Sequence, residues 1–487
     1  MNVQRQTALV KALRKVLPAQ NILFDAEDTR PYECDSLSTV RVLPMVVALP
    51  ENEAQILAIL AVCRQFQVPI VPRGAGTGLS GGATPIAGGL VLSTARLNKI
   101  IRLDAYARYA VVQPGVRNLA VSDAAAQYGL FYAPDPSSQL ACTIGGNVAE
   151  NSGGVHCLKY GLTHPNVLGV RLITMEGEIL ELGGTAPDAP GLDLLSLVIG
   201  SEGLLGILTE VTLKLLPMAQ TAQVIVASFE RIEDAGRAVE NIIAHGIIPA
   251  GLEMMDQTSV RMVEPFARAG YDTEAAAILL CESDGNANEV IDEVARVSQI
   301  LTQAGARHLR ISYSEEERQK LWSGRKNAFP AAGRISPDYY CVDGTIPRKH
   351  LAKMLTAIEA MSVRYGLACA NVFHAGDGNL HPLILFDANQ ANAFDTAEKM
   401  GAEILALCVE LGGTITGEHG VGIEKLNSMC VQFSAEELSV FEGVKCAFDP
   451  ARLLNPEKAI PTLHRCAEYG RMHVTRGKSR FPELPRF

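Results

Sequence analysis

Short apolar runs, glycine-rich turns and amphipathic helices alternate along the first part of the chain. Residues 46–49 are typical of a buried strand, and the segment after Pro50 has its apolar positions at helical spacing. A second strand is predicted at residues 69–72, which completes a β-α-β unit. Residues 170–182 have the pattern of a β-hairpin. Pro217 closes the last strand of this part, so we expect a domain boundary near residues 217–222.

Beyond this boundary the pattern changes to helices alternating with strands. Helices are predicted at residues 232–244 and 288–304, and a buried strand at residues 277–282. This arrangement is typical of an α+β domain. A chain of 487 residues is too long for one hydrophobic core, which agrees with two or three domains. We therefore predict an α+β fold class with at least one domain on each side of the boundary.

The most unusual stretch begins where the second strand ends, and it consists of Arg73, Gly74, Ala75, Gly76, Thr77, Gly78, Leu79, Ser80, Gly81 and Gly82. Its backbone N–H groups and two hydroxyl groups can approach a phosphate closely. Residues 76–81 also satisfy the G-x-G-x-x-G spacing, but residues 82–85 block the helix that a dinucleotide-binding fold requires. The Walker pattern is absent as well. A flexible linker is the alternative, and the apolar runs on both sides disfavour it.

A second stretch of small residues lies at 134–138 and 143–154, and it contains Pro134, Ser137, Gly145, Asn147 and Asn151. Taken alone, this stretch is equally compatible with a tight structural turn. Because it falls in the same predicted domain as the glycine-rich loop, the pair favours one large nucleotide cofactor that contacts both.

Candidate catalytic chemistry lies far along the chain. A predicted hairpin at residues 371–386 brings His374 and His381 close together, and two neutral imidazoles form a good pair of ligands for a divalent cation. Two hydrogen-bonded histidines that brace the turn are the alternative. Glu418 could complete a His-His-carboxylate site, which would leave the adjacent His419 as a proton acceptor.

Composition narrows the classes of partner and compartment. The chain has 43 basic and 53 acidic residues and a net charge of −10, which makes nucleic acid an unfavourable partner. The eleven cysteines include no C-x-x-C pair, so we expect reduced cysteines, no iron–sulfur cluster and a cytoplasmic protein. The N-terminus is predicted to be an amphipathic helix, and no apolar run is long enough to span a bilayer. Any membrane association would then go through a partner or a surface contact.

Several motifs together resemble one family. They are residues 31–35, the loop 73–82, Asn147-Val148-Ala149-Glu150-Asn151, Gly200-Ser201-Glu202-Gly203, the segment 374–381, Gly417-Glu418-His419-Gly420, residues 453–456 and residues 463–466. Over essentially the whole chain, they are similar to the FAD-linked 2-hydroxy acid oxidases of the vanillyl-alcohol-oxidase type. This family includes glycolate, D-lactate and D-2-hydroxyglutarate dehydrogenases.

The resemblance implies a PCMH-type FAD-binding domain at residues 1–220, with its core at about 41–217, and a cap or substrate domain at residues 221–445. Residues 446–487 would return to the FAD domain and end in a tail that docks partners. FAD would contact the two small-residue stretches together with Gly203, Ile207 and Asn455. Because the loop contains no histidine, we expect FAD to bind noncovalently.

The resemblance also implies the roles at the second site. His374, His381 and Glu418 would hold zinc or manganese, His419 would be the catalytic base, and Arg325 would pair with the substrate carboxylate. The expected reaction is oxidation of glycolate, and of D-lactate, to the 2-oxo acid (glyoxylate from glycolate). Residues 337–343 lack the extra cation of relatives that use dicarboxylic substrates, which favours a monocarboxylate. A dehydrogenase for D-lactate or D-2-hydroxyglutarate is the alternative, as is a noncatalytic flavoprotein that relays electrons.

Because the chain has no iron–sulfur motif, the resemblance assigns reoxidation of the flavin to other subunits. These would be a second FAD-type subunit and an iron–sulfur subunit that passes electrons to a membrane quinone. Such partners would hold a cytoplasmic protein at the inner face of the cell membrane.

Overall fold

The structure, a computed structural model, describes residues 3–186 and 191–461. The predicted docking tail and the motif at 463–466 lie outside the described residues. Two compact units are present. Among the described residues, the first comprises the chain up to Ser152, Leu162–Pro217 and residues 419–461, and the second comprises Gly153–Gly161 and Met218–Glu418.

The described residues form α-helices throughout both units. In chain order they are α1 (Val3–Leu13), α2 (Ala26–Thr29), α3 (Glu53–Phe66), α4 (Asn118–Ala125), α5 (Ile144–Glu150), α6 (Cys157–Tyr160), α7 (Leu194–Val198), α8 (Ile232–Ala244), α9 (Gln257–Ala267), α10 (Ala287–Gln303), α11 (Glu315–Lys326), α12 (Ala328–Ile335), α13 (Leu351–Tyr365), α14 (Ala393–Glu410), α15 (Leu426–Gln432) and α16 (Ala435–Phe448).

The strands are likewise distributed over both units. They are β1 (Ile22–Leu23), β2 (Val46–Ala48), β3 (Ile70–Arg73), β4 (Leu90–Ser93), β5 (Ile100–Asp104), β6 (Tyr109–Val112), β7 (Leu130–Phe131), β8 (Val167–Ile173), β9 (Ile179–Gly183), β10 (Ile207–Lys214), β11 (Leu216–Pro217), β12 (Thr221–Phe229), β13 (Gly251–Asp256), β14 (Ala277–Gly285), β15 (His308–Ile311), β16 (Asp338–Cys341), β17 (Gly344–Thr345), β18 (Cys369–His374) and β19 (Asn379–Phe386).

The first unit contains two main sheets. One has four strands in the order β1-β2-β4-β3, and its pairs β2–β4 and β4–β3 are parallel, as the predicted β-α-β unit requires. The other is antiparallel, in the order β5-β6-β10-β8-β9. Residues after α16 join the first sheet, where the Ile70 N–H donates to Leu453 O at 2.7 Å and the Asn455 N–H donates to Ile70 O at 2.7 Å. The chain end that the structure describes therefore packs on the edge of β3.

The second unit is built on one antiparallel sheet in the order β15-β12-β14-β13-β18-β19-β16, with β17 also paired to β19. Strands β13, β18 and β19 are buried almost completely, and they lie in the middle of the sheet. The helices α9, α11 and α12 contribute to a core that includes Trp322 and Met255. Polar side chains on these strands are consequently shielded from water.

Most elements predicted from the sequence are present, but the division into units differs in two places. The segment 153–161 belongs to the second unit, and residues 419–445 belong to the first. Residues 419–445 group with the first unit because the backbone N–H groups of Val421 and Gly422 donate to the buried Glu202 carboxylate of that unit. Within residues 3–186 and 191–461, no helix is long and apolar enough to cross a membrane.

Candidate functional site

The glycine-rich loop leaves the end of β3 and runs to β4 without a helix. This absence agrees with the exclusion of a dinucleotide-binding helix. Gly76 has φ of +73°, and a Cβ there would overlap the Arg73 guanidinium. The Arg73 side chain donates in turn to Cys34 O at 2.7 Å. Glycine is therefore required where the loop turns back over its own arginine.

The far end of the loop is held by the segment after α16. Lys458 Nζ donates to Gly82 O at 2.8 Å, to Thr84 O and to Asn455 Oδ1. Asn455 Nδ2 donates to Gly82 O at 3.1 Å and to Glu202 O at 2.7 Å. Burial lowers the pKa of Lys458 to about 7 although nearby carboxyl groups oppose it. Asn455, predicted from the family motif, thus lies against the glycine-rich loop.

Four buried side-chain oxygens in this region have no hydrogen-bond partner among the described residues. They are Ser80 Oγ, Thr84 Oγ1, Thr143 Oγ1 and Glu150 Oε2. A Cβ on Gly74 would approach Thr143 Oγ1, and one on Gly82 would approach the Glu150 carboxyl, so these atoms adjoin the loop. Unpaired polar atoms are costly in a protein interior. A bound ligand with several polar groups would satisfy them.

The other predicted cofactor residues lie in the same unit. Asn118 Nδ2 donates both to Pro134 O at 3.0 Å and to Asn147 Oδ1 at 3.1 Å, which joins the two small-residue segments. The Gly145 N–H donates to Pro114 O, and Asn151 Oδ1 accepts from the His164 N–H. Gly203 has φ of +71° beside Pro72, while Ile207 begins β10 with its side chain in the core. Ser137 is exposed in the connection that follows Pro134.

The second unit brings His374 and His381 together on the β18–β19 hairpin, as predicted. His381 pairs with Val372 across the hairpin and His374 pairs with Asn379, and the two imidazole centroids are 5.0 Å apart. Glu418 Oε1 lies 3.3 Å from His374 Nε2 and 2.9 Å from His381 Nε2. One ligand atom from each residue fits within 4.8 Å of the others. Two imidazoles and a carboxylate form a donor set that suits zinc or manganese.

Glu418 is positioned from behind by Asp343. The Glu418 N–H donates to the Asp343 carboxylate at 3.2 Å, and the Gly417 N–H donates to it at 3.0 Å. Burial would raise the pKa of Glu418, but the charges and hydrogen bonds of His374 and His381 hold it well below its usual value. The carboxylate is therefore ionised and available to a cation.

A residue that the sequence analysis missed lies behind His374. Glu253, on β13, is fully buried, and its Oε1 lies 2.7 Å from His374 Nδ1 while its Oε2 accepts from Arg325 Nε at 2.6 Å. Burial would raise the pKa of Glu253, and the adjacent His374 and Arg325 lower it below its usual value. The available signal was a single acidic residue inside the apolar run Gly251-Leu252-Glu253-Met254-Met255.

Arg325 is in the last turn of α11, and its side chain is 3% exposed. Its bond to Glu253 uses Nε and not the two terminal amino groups. His419 directly follows Glu418 in the chain and belongs to the first unit. The second unit therefore unites the three predicted metal ligands with the predicted carboxylate-binding arginine.

The chain belongs to the FAD-linked oxidases, with residues 44–183 matching the family of FAD binding domains and residues 218–459 matching the C-terminal domain of FAD linked oxidases. The resemblance to vanillyl-alcohol-oxidase-type enzymes is thereby confirmed, as is the predicted α+β fold class with a PCMH-type FAD-binding domain. The protein is an FAD-linked oxidoreductase.

Individual relatives show which members of the family the chain resembles. The chain is 58% identical over 482 residues to the glycolate oxidase subunit GlcD of Escherichia coli (strain K12), which covers 99% of this chain and 97% of the relative. It is 41% identical over 428 residues to GlcD of Bacillus subtilis (strain 168), covering 88% and 91%. It is 31% identical over 463 residues to a D-lactate dehydrogenase of Anaerostipes hadrus, covering 92% and 96%.

Solved structures support the fold alone. A p-cresol methylhydroxylase crystal structure with substrate bound aligns with a TM-score of 0.80 at 16% identity, covering 95% of this chain and 98% of that chain. An alkyldihydroxyacetonephosphate synthase structure aligns with a TM-score of 0.74 at 19% identity, covering 93% and 85%.

Proposed function

We propose that this protein oxidises glycolate, and with it D-lactate, to the corresponding 2-oxo acid as the catalytic flavin subunit of a multi-subunit glycolate oxidase. The observation that carries the proposal is the convergence of His374, His381 and Glu418 in a chain 58% identical to a glycolate oxidase subunit. A noncatalytic relay subunit would not need this donor set or the arginine that lies behind it.

The first unit fits FAD. The glycine-rich loop offers backbone N–H groups for the diphosphate, and the orphaned oxygens of Ser80, Thr84, Thr143 and Glu150 offer further contacts. The loop has no histidine for a covalent bond, so we propose noncovalent FAD. When bound, FAD supplies the acceptor for the hydride from C2 of the hydroxy acid.

The second unit fits a divalent cation, for which we propose zinc or manganese. His374 Nε2, His381 Nε2 and Glu418 Oε1 would hold it, and these three donors leave coordination positions for substrate oxygens. Such a cation lowers the pKa of a coordinated hydroxyl group. The terminal amino groups of Arg325 would bind the substrate carboxylate, for which a planar guanidinium is well suited.

His419 would act as the base. It takes the proton of the substrate hydroxyl as the C2–H bond breaks, so that the hydroxyl carbon becomes a carbonyl and the substrate loses one proton and one hydride. Electrons would leave through a second FAD-type subunit and an iron–sulfur subunit to a membrane quinone. The GlcD relatives are themselves named as subunits.

Oxidation of D-lactate as the main activity is the second candidate, because D-lactate dehydrogenases of several organisms are 29–32% identical to this chain. The segment Asp338–Cys341 on β16 carries no basic residue, which favours a monocarboxylate over D-2-hydroxyglutarate. Both candidates share the same site and differ only in the group on C2.

The test is a steady-state assay with a dye acceptor on FAD-loaded protein, using glycolate, D-lactate and D-2-hydroxyglutarate. We expect turnover with the first two acids, loss of it after chelation, and recovery when Mn²⁺ or Zn²⁺ is returned. Full activity after verified metal removal would rule out the cation, and preference for D-2-hydroxyglutarate would rule out the substrate assignment.

A His419→Ala variant tests the base. We expect kcat to fall by about 10²- to 10⁴-fold while FAD and metal contents stay unchanged. The exposed His245 at the end of α8 provides the matched control, because His245→Ala removes an imidazole outside the site. Equal turnover in the two variants would eliminate His419 as the base.

A further inference from the structure

Glu253 is the feature of the second unit that the proposed function does not yet use. It is an acidic residue in the centre of a buried apolar strand, and no part of it is exposed. Its two carboxylate oxygens have different partners, because Oε1 faces His374 Nδ1 at 2.7 Å and Oε2 faces Arg325 Nε at 2.6 Å. One side chain therefore contacts both a proposed metal ligand and the proposed carboxylate-binding residue.

The direction of each contact has a chemical consequence. A hydrogen bond at His374 Nδ1 fixes the proton on that nitrogen and leaves Nε2, the atom that faces Glu418, with its lone pair for a cation. A bond at Arg325 Nε holds the guanidinium plane while its terminal amino groups remain available. Neither contact places Glu253 itself on the substrate or the cation.

We propose that Glu253 is a positioning residue that joins the metal site to the substrate-carboxylate site, orienting His374 through Oε1 and Arg325 through Oε2. The proposal rests on the proposed function, since it assigns a role relative to the same cation and substrate. It predicts that metal affinity depends on Arg325, a residue whose described side-chain bond goes to Glu253 and not to a metal ligand.

Two substitutions disrupt the contacts of Glu253 with His374 and Arg325 in different ways. Glu253→Gln keeps the length but has one acceptor oxygen, so its NH₂ group must face either the His374 or the Arg325 donor. Glu253→Asp keeps the charge but is one methylene shorter, so it cannot reach both partners. We expect Glu253→Gln to weaken Mn²⁺ binding by about 10- to 100-fold, the usual effect of losing such a partner of a metal-bound histidine.

A matched control lies on the same strand. Asp256 is a partly buried acid whose Oδ1 accepts from the Ser259 N–H at 2.8 Å and whose Oδ2 accepts from Asn371 Nδ2 at 2.6 Å. Asp256→Asn replaces a carboxyl group of β13 without touching His374 or Arg325. Its Mn²⁺ affinity and KM for glycolate should match those of the wild-type protein.

The decisive experiment is a double-mutant cycle read out by equilibrium dialysis of Mn²⁺ against FAD-loaded protein without substrate. Arg325→Lys should weaken Mn²⁺ binding several-fold in the wild-type background, because Glu253 loses its second anchor. In the Glu253→Gln background the same change should add nothing. An equal factor in both backgrounds would overturn the proposal.

Kinetics provide an independent readout. Glu253→Gln assayed at saturating Mn²⁺ should still show a KM for glycolate raised about 10-fold, because Arg325 is no longer held. Thermal unfolding shows whether Glu253→Gln folds. If it does not, Glu253→Asp replaces it, and we expect the same losses in Mn²⁺ affinity and in KM. If the wild-type protein is active and binds metal, and a folded Glu253 variant has unchanged Mn²⁺ affinity and KM, the role of Glu253 is refuted. The proposed function would not be affected by that result. A wild-type protein that binds no Mn²⁺ or Zn²⁺ would refute the metal site and this inference together.

Discussion

The glutamates at the two candidate sites differ in the direction in which their pKa values are shifted. In the second unit, Glu253 and Glu418 each contact a histidine or an arginine, and their pKa values are held below the usual range. In the first unit, burial raises the pKa values of Glu150 and Glu202, and in Glu150 the charge of Glu202 adds to the effect. The difference lies in the partners, because Glu202 accepts from the backbone N–H groups of Val421 and Gly422, whereas Glu253 and Glu418 contact histidine or arginine side chains.

This difference indicates that the two candidate sites are prepared for their ligands in different ways. The cluster of His374, His381 and Glu418 is held together by contacts within the protein, so its ligand atoms can be in position before a cation arrives. The region of the glycine-rich loop instead retains buried oxygens without partners, such as Ser80 Oγ and Glu150 Oε2. A bound cofactor that gave hydrogen bonds to those atoms would contribute to the stability of that unit.

The strongest test of the comparison removes one donor from the complete cluster. His381→Ala should abolish tight metal binding and lower turnover by at least about 10³-fold, because the cation would lose one of three protein ligands. FAD absorbance should be unaffected, since the flavin site belongs to the other unit. Metal analysis and the dye assay measure this, with His245→Ala as control. Loss of FAD from the variant would contradict the separation of the two sites.

A second test concerns an ionised acid of the second unit outside the site. Glu282 contacts His156, Arg318 and Trp322; burial would raise its pKa, but these partners lower it to about 2 from a usual 4.5. A pKa depressed on folding stabilises the protein above the unfolded value, and this contribution is lost as the pH falls towards 2. Glu282→Gln should therefore lower the free energy of unfolding of this unit by about 3 kcal/mol at pH 7.

Urea unfolding followed by tryptophan fluorescence measures this difference, because Trp322 lies in the same core. The gap between wild type and variant should shrink as the pH is lowered from 4.5 towards 2. A gap that does not depend on pH would mean that packing, and not charge, accounts for the effect.

A third test acts on the glycine-rich loop without changing any charge. Gly422 has φ of +50°, and a Cβ there would overlap the Ser80 carbonyl oxygen, which accepts the Ile423 N–H at 3.0 Å. Gly422→Ala should displace the loop and weaken FAD binding about 10-fold, or about 1.4 kcal/mol. Isothermal titration of the apoprotein with FAD measures this. Gly443→Ala, within α16 and with open space around it, should leave the affinity unchanged.

The smallest effect is expected at Glu150, because burial and the charge of Glu202 raise its pKa well above the usual value. A pKa raised on folding means that stability is fully present below the unfolded value of 4.5 and declines as the pH rises towards the folded value. Glu150→Gln does not titrate, so the variant should gain stability relative to wild type as the pH rises above 4.5. Thermal unfolding of the apoprotein between pH 4 and 8 tests the sign. A trend in the same direction as that of Glu282→Gln would break the comparison between the two units.

Local patterns were sufficient to predict much of the fold and part of the site. The hairpin of His374 and His381 follows from apolar runs on both sides of a turn, and helix α8 was predicted with its observed bounds. Glu253 was not predicted, because its partners lie 72 and 121 residues away along the chain. The grouping of the short segment 153–161 with the second unit was not predicted for the same reason, since only tertiary contacts produce it.

That segment also has a consequence for how such proteins can be recombined. The chain passes between the units after Ser152, Gly161, Pro217 and Glu418, so no single cut separates them. Residues 153–161 bring His156 to Glu282 and Tyr160 to Asp284, and Leu158 packs against Gly376. A chimera that exchanges only residues 218–418 between relatives would place these acids against the other relative's version of the segment. To transfer the second unit intact, residues 153–161 must therefore be exchanged together with residues 218–418.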